Sequence, residues 1–427
     1  MANNFDNNFT RKIAKGFLKG VESKRVLSKN VNTQLLDGKF NPASGADVDF
    51  KRGTDYTSIR TPKGDISGDT PSDIVVGKAT GTVQDYFTVF VDYDEADEAI
   101  KMDELDKLLD PMTGRLVTDV EVDYAKFMLS GSGLTAGVTG TPVNSWEHVA
   151  EAGALMESIG IPKDGGWCYS INPFTQKALS KEQRSLGAGG SAGSLISEAH
   201  RNAIVAENFA GMKVMTATTL PTYQTFAGAD RTGAVAANPV VTYDSVKNTM
   251  IQSIAVSGFV ADLEIKAGET VTFDDVNMLN LSTRQPVIGE NGNKIPFSST
   301  VSEDVTLDGS GAGTILITGP AIYEAGGAYN TVDGAITTST NVTLGGGGAS
   351  SVIIQPNLFW HKEAFSIGSV PIKKLHSTDT LATTEDGLQF RVSKGVGFLE
   401  NNQKVRIDFR PAYAKLNPFF AGKGFGR

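Results

Sequence analysis

Apolar positions recur at several spacings along the 427-residue chain, and each spacing predicts a different element. Ile13, Phe17 and Val21 fall every four residues among lysines, which predicts a basic amphipathic helix within the first thirty residues. Its expected use is as an arm that docks the apolar stripe on another subunit and leaves the lysines in water. From 45 the texture changes. VDFKRGTDYTSIRTPKGDISG is polar and turn-rich, and KATGTVQDYFTVFVDYD then alternates at Val83, Phe87, Val89 and Val91. This predicts a long two-stranded excursion with polar tips around Lys63-Gly64 and Gly68-Asp69, and such a ribbon is marginal in water without support. A short helical stretch, DELDKLLD, comes next. A second helix is expected to open at Asp110-Pro111, a good cap followed by a residue whose missing N–H is harmless in the first turn. Leu116, Val117, Val120, Tyr124, Phe127 and Met128 make its apolar face, and Gly131 ends it.

From Asn144 the pattern alternates between helix and strand. SWEHVAEAGALMESIG reads as a capped helix, WCYSI as a strand, and Asn172-Pro173 as another helix start. SLGAGGSAGS reads as a loop, SLISEAHRNAI as a helix and Met212–Ala217 as a strand. Gly/Ala-rich stretches at 227–239 and around Gly345–Gly348 then bracket a block in which nearly every segment reads as strand or turn. Flexible segments on either side of an all-β block are the pattern of an inserted domain. Within it, LEIKAGETVTFDDVN places Leu263/Ile265 and Val271/Phe273 on either side of Lys266-Ala267-Gly268-Glu269, as in a β-hairpin whose turn puts Gly268 at positive φ. After the block, PNLFWHKEAF resumes the α/β domain, and RVSKGVGFLENNQKVRIDFRPAYAKLNP supplies closing strands.

Composition narrows the function. The 40% hydrophobic content suffices for real cores, and a formal net charge of -9 argues against a surface that wraps nucleic acid throughout. Charge is uneven along the chain. Residues 1–30 carry seven basic and two acidic side chains, residues 235–355 carry 12 acidic and four basic, and residues 356–427 carry 11 basic and six acidic. Such asymmetry suits surfaces that meet different neighbours. With Cys168 as the sole cysteine, an intrachain disulfide and a thiolate-rich zinc site are excluded. No apolar run approaches the roughly 20 residues that span a bilayer, and the N-terminus lacks the apolar core of a secretory signal, so a soluble protein folded in the cytoplasm is expected.

Chemistry is sparse. There is no GxxxxGK[ST] loop, no HExxH and no Gly-x-Ser-x-Gly elbow. The four histidines are scattered, and Cys168 beside Trp167 reads as a small core residue. The 12 acids of residues 92–123 read as a solvated or salt-bridged surface rather than a paired-carboxylate site. No catalytic residue, metal ligand or cofactor is therefore assigned, which favours a structural role over an enzyme.

The order of these parts resembles the major capsid proteins of tailed phages with the Hong Kong 97 fold. RTPKGDISG followed by GKATGTV is similar to the E-loop region of coat proteins from short-tailed phages of Salmonella and Shigella. KLLDPMTGRLVTDVEVDYAKFM resembles their spine helix, and INPFTQKAL, FAGMKVMTATTLP and PNLFWHKEAF resemble axial-domain segments. IKAGETVTFDDVNMLNLSTRQPVIGENGNKIPFSSTV resembles the inserted β-barrel of that family, matching at Lys266, Ala267, Gly268, Phe273, Val276 and Phe297. Glu269 stands where the family usually carries Asp.

The resemblance implies an α+β fold divided into an N-arm (1–44), E-loop (45–92), peripheral domain with spine helix (93–143), and first axial part (144–234). An inserted barrel (235–355), axial return (356–380) and closing peripheral strands (381–427) complete it. It implies a subunit that assembles with itself into pentamers and hexamers of an icosahedral procapsid in the bacterial cytoplasm. A scaffolding protein and a portal would direct assembly, packaged DNA would be met non-specifically inside, and no membrane would be involved. The assembly candidates are Ile13, Phe17 and Val21 on the arm, Arg60, Lys63 and Asp69 on the E-loop, and Gly268, Glu269 and Phe273 in the insertion. An encapsulin-type nanocompartment shell is the alternative within the fold, although such shells usually lack an inserted barrel. A surface protein with an acidic, ligand-binding β-domain is the alternative outside it.

Overall fold

The computed structural model describes residues 6–33, 35, 47–94, 105–185, 202–203, 205–226, 230–345, 351–376, 379–397 and 402–427. The acidic run at 95–104, the glycine loop at 186–193, most of the helix expected in SLISEAHRNAI and the run Gly346–Gly348 lie outside the described residues. The chain forms two compact units. One comprises Met1–Val48, Gly81–Ala125 and Phe365–Ala414; the other comprises Asp49–Thr80, Lys126–Ala364 and Lys415–Arg427.

The first unit is built on a four-stranded antiparallel sheet, in the order Thr380–Thr383, Gln389–Gly397, Asn402–Phe409, Phe87–Asp94. Phe87 pairs with Phe409 and Asp94 with Asn402, so the FTVFVDYD alternation is a strand of this sheet. It is not the second leg of a ribbon, as the sequence pattern suggests. The preceding strand, Lys78–Val83, aligns Gly81 with Ala414 and Val83 with Ala412 in a different sheet. Gln84–Tyr86 break the alternation, and the chain changes sheets there.

Helices α1 (Asp6–Lys24) and α2 (Leu105–Gly131) cover this unit's core. Phe17 and Val21 of α1 and Leu116, Val117 and Val120 of α2 join Phe390, Val392, Val405, Ile407 and Phe409 of the sheet. The sequence places a helix start at Asp110-Pro111; the structure instead runs one helix through it, with Pro111 inside. A proline there forfeits one i→i−4 hydrogen bond. The burial of Met112, Leu116, Val117 and Val120 on one face is what holds the following turns in place.

The second unit contains a six-stranded mixed sheet and a closed six-stranded barrel. The sheet runs Leu134–Ala136, Ala421–Gly424, Asn357–His361, Trp167–Ile171, Met212–Thr216, Asn208–Phe209. Trp167–Ile171 and Asn357–His361 are buried along their full length, as befits central strands. Beside them, α3 (Trp146–Ile159) buries Val149, Ala152, Met156 and Ile159. Helix α4 (Pro173–Ser185) starts as its sequence predicts, with the Asn172 side chain accepting from the Thr175 N–H at 2.7 Å.

The barrel closes in the order Ile251–Ser257, Gly313–Thr318, Pro296–Val301, Thr270–Asn277, Asn341–Leu344, Thr232–Val235. Period-two burial along Ile251–Ser257 sends alternate side chains inward. The Phe273 and Phe297 rings lie 6.0 Å apart inside. Apolar residues of the barrel and of the sheet form one continuous core.

LEIKAGETVTFDDVN is not a hairpin. Glu264–Ile265 pairs with Val305–Thr306, whereas Thr270–Asn277 pairs with Pro296–Val301 and Asn341–Leu344. Leu263, Ile265, Val271 and Phe273 are all buried, so the alternation reports burial correctly; the two runs simply find different partners. Between them Gly268 sits at φ +93, the conformation expected of the turn.

Candidate assembly surfaces

The basic helix α1 holds its apolar stripe inside its own unit. Phe17 meets the Phe390 ring edge-on at 5.0 Å, and Val21 is fully buried. The structure therefore corrects the expectation that this stripe docks on another subunit: the same chain supplies the sheet that covers it. The helical period identifies an apolar face and carries no information about which chain meets it. The side chain of Ile13 lies outside the described residues. Lys15, Lys19 and Lys24 face solvent, so the outward side of α1 is a cationic surface, and Lys29 just beyond it is exposed as well.

The chain leaving α1 is tied down by Glu121, one of the 12 acids of residues 92–123 expected at a solvated or salt-bridged surface, which the structure instead buries. Glu121 of α2 is buried and accepts from the N–H groups of Leu27 at 2.8 Å and Ser28 at 3.1 Å, and from the Ser28 hydroxyl. Arg25, also buried, donates to the Ser28 hydroxyl at 2.8 Å and to Asp386 at 2.9 Å. The available signal was an acid at 121 between Val120 and Tyr124, on the face that α2 buries.

Residues 52–77 are the outstanding exposed feature of the second unit. No strand forms in this stretch; turns around Lys63-Gly64 and Ser67-Gly68 shape it, and Asp69 N–H donates to the Ile66 carbonyl at 3.1 Å. Arg60, Lys63 and Asp69 all face solvent here. So do apolar side chains: Ile59 is 45% exposed, Ile66 61% and Ile74 72%. A single exposed isoleucine needs no explanation, but several on one irregular loop mark a surface that gains from being covered.

The candidates in the insertion lie inside. Gly268, Glu269 and Phe273 have no surface to offer a neighbour. Glu269 instead forms a buried ion pair with Arg231 and accepts from the Lys266 N–H at 3.0 Å, closing its own turn. Lys423, fully buried on the sheet strand Ala421–Gly424, donates to the Gly268 carbonyl at 3.0 Å. Two cations thus stand around one carboxylate. Burial pulls the Lys423 ammonium down to about 7, against the pull of Glu269. Burial also pushes the Glu269 carboxyl above the usual range despite Arg231. Arg231 and Lys423 are connected to Glu269 only through the fold, 38 positions upstream and 154 downstream, and no spacing in the sequence announces them.

Among the described residues no His/Cys/Asp/Glu group has the arrangement of a metal site, and no helix is long and apolar enough to cross a membrane. Cys168 is buried, and burial pushes its thiol up to about 11, the state of an inert core residue. Of the three tryptophans, Trp167 and Trp360 are core residues, whereas Trp146 at the start of α3 is substantially exposed.

A family model described as P22 coat protein, gene protein 5, matches residues 1–426. The major capsid protein of Acyrthosiphon pisum secondary endosymbiont phage 1 is 34% identical over 432 residues, covering 100% of both chains. Among solved structures, a chain of Mycobacterium phage Che8 aligns over 93% of this chain and 90% of its own, with 11% identity and a TM-score of 0.45. The capsid of Ralstonia phage GP4 aligns over 95% and 90%, with 11% identity and a TM-score of 0.40.

Proposed function

The chain belongs to the P22 coat protein family, subunits of phage shells, and from that premise we propose how its parts serve the shell. Subunits with a Hong Kong 97-like arrangement associate as pentamers and hexamers of an icosahedral procapsid that encloses double-stranded DNA. The loop 52–77 reaches a neighbouring subunit and covers Ile59, Ile66 and Ile74 there. The lysines of α1 face the interior, where an acidic scaffolding segment or packaged DNA meets them. A scaffolding protein and a portal direct assembly in the host cytoplasm, and the chain performs no catalysis.

The observation that carries this reading is the loop itself. Ile66 and Ile74 are largely in water, on a backbone with few hydrogen bonds of its own. Burying what remains exposed of these two side chains contributes roughly 2–4 kcal/mol per contact before the cost of ordering the loop. Such a contact, repeated around a closed shell, adds to whatever other interfaces hold the subunits together. The test is Ile66→Asp together with Ile74→Asp in the full-length protein. The variant should remain soluble with unchanged melting and form no particles by electron microscopy, with or without scaffold. Shells of normal yield from this variant would refute the assignment of the loop.

A further inference from the structure

We propose that the barrel-bearing block clamps the base of the loop 52–77 and fixes the direction in which it leaves the subunit, with Tyr329 and Arg284 as positioning residues. The consequence for assembly rests on reading the loop as the contact with a second copy of the chain; the clamp itself stands on contacts within one chain.

The loop does little to hold itself. Its two legs meet through Arg52 N–H to the Gly77 carbonyl at 2.9 Å and through Thr57 and Ser72, whose hydroxyls lie 2.7 Å apart. Tyr329 adds a tie from outside. Its hydroxyl accepts from the Asp55 N–H at 3.0 Å and donates to the Val75 carbonyl at 3.1 Å. One oxygen therefore stitches the outgoing leg to the returning leg, across the 19 residues between Asp55 and Val75.

Tyr329 is itself held. Its ring stacks on that of Tyr243, with centroids 3.9 Å apart and planes within 2°. The next residue, Asn330, gives its carbonyl to Arg284 Nη1 at 2.8 Å, and Arg284 Nη2 donates to the Asp55 carboxylate at 2.5 Å. Arg284 makes these bonds from φ +54, a conformation that costs a non-glycine residue energy and persists where surrounding bonds impose it. Those bonds are present: Arg284 N–H donates to the Asn280 carbonyl at 2.9 Å, and the Asn280 side chain accepts from the N–H groups of Ser282 and Thr283.

The returning leg is pressed against the same block. A Cβ on Gly77 would lie 2.5 Å from the Lys247 carbonyl and 2.9 Å from the Tyr243 hydroxyl, so only glycine permits this approach. Ring, guanidinium and bare backbone thus converge on Asp55, Val75 and Gly77, at the root of a loop that carries exposed Ile66 near its tip. A clamp at the root turns a floppy strap into a directed one, and lowers the entropy lost when the tip docks.

The test uses the unassembled full-length chain and two separate substitutions. Tyr329→Phe removes the shared hydroxyl and keeps the stacked ring; Arg284→Gly removes the guanidinium and relieves the backbone conformation. Tryptic cleavage after Arg60 and Lys63, followed by mass spectrometry, reads the opening of the loop. Amide exchange in Thr270–Asn277 and Pro296–Val301 reads the barrel. Each substitution should speed loop cleavage about five- to tenfold, on the scale of one or two lost hydrogen bonds, and leave barrel exchange unchanged. Cleavage within twofold of the parent in both variants, with the barrel intact, would overturn the clamp. Faster cleavage together with shells of normal yield and shape would uphold the clamp and refute the loop as the intersubunit contact.

Discussion

Replacing Glu269 with alanine takes the carboxylate out of a buried cluster that holds two cations. Arg231 and Glu269 are both almost completely buried, and the Nε and Nη1 atoms of Arg231 have no hydrogen-bond partner among the described residues. Removing one partner of a buried pair leaves the other charge uncompensated, at a cost of about 3–5 kcal/mol. The Lys266 N–H loses its acceptor as well, for about 1 kcal/mol more. Set against a domain stability of about 5–15 kcal/mol, the sum of roughly 4–6 kcal/mol would leave the barrel marginal. Urea unfolding of the unassembled chain measures it. Glu269→Gln keeps an acceptor for Lys266 and isolates the charge. The sharper comparison is the double variant Arg231→Met with Glu269→Leu, which removes both charges and fills their volume. It should be substantially more stable than Glu269→Ala. A loss below 1 kcal/mol for Glu269→Ala, or a double variant no better than the single, would refute the view that pairing matters at this site.

Gly268→Val should fail during folding: a β-branched residue is strained at φ +93, and its Cβ would lie 2.6 Å from the Leu129 side chain. A loss of about 3 kcal/mol or more follows, read as aggregation and a lower yield of soluble chain. Lys423 makes stability depend on pH. Its folded value of about 7 lies below the ordinary 10.5, so between these values the unfolded chain binds more protons. Stability should rise with pH across that window and be flat below it, and Lys423→Met should remove this contribution to the slope in urea titrations at successive pH values. Phe17→Ala, which empties a site against Phe390, should cost about 3–5 kcal/mol in the unassembled chain; an unchanged midpoint would mean that α1 docks elsewhere.

Much of this protein is legible in the order of its residues. The four-residue recurrence of Ile13, Phe17 and Val21 specifies α1, and Asn172-Pro173 specifies where α4 begins, because caps and helical periods act over a few residues. The alternation around Gly268, and its positive φ, follow from the same local rules. What the local rules leave open is the partner. The stripe of α1 could have met another subunit, and the two runs flanking Gly268 could have paired with each other; in the structure the stripe meets its own sheet and the runs pair apart.

Glu269 shows the division most sharply. As a letter it is an acid after a turn glycine. In the fold it is the counterion of Arg231 and a close neighbour of Lys423, drawn from distant parts of the chain. Tyr329 and Arg284 are silent in sequence for the same reason. Hydrophobic periodicity is set by the geometry of one helix or strand, which every short segment carries within itself. The pairing of strands, and of charges and hydroxyls across them, depends on which segments the closed core brings within 3 Å, and that is decided only when the whole unit folds.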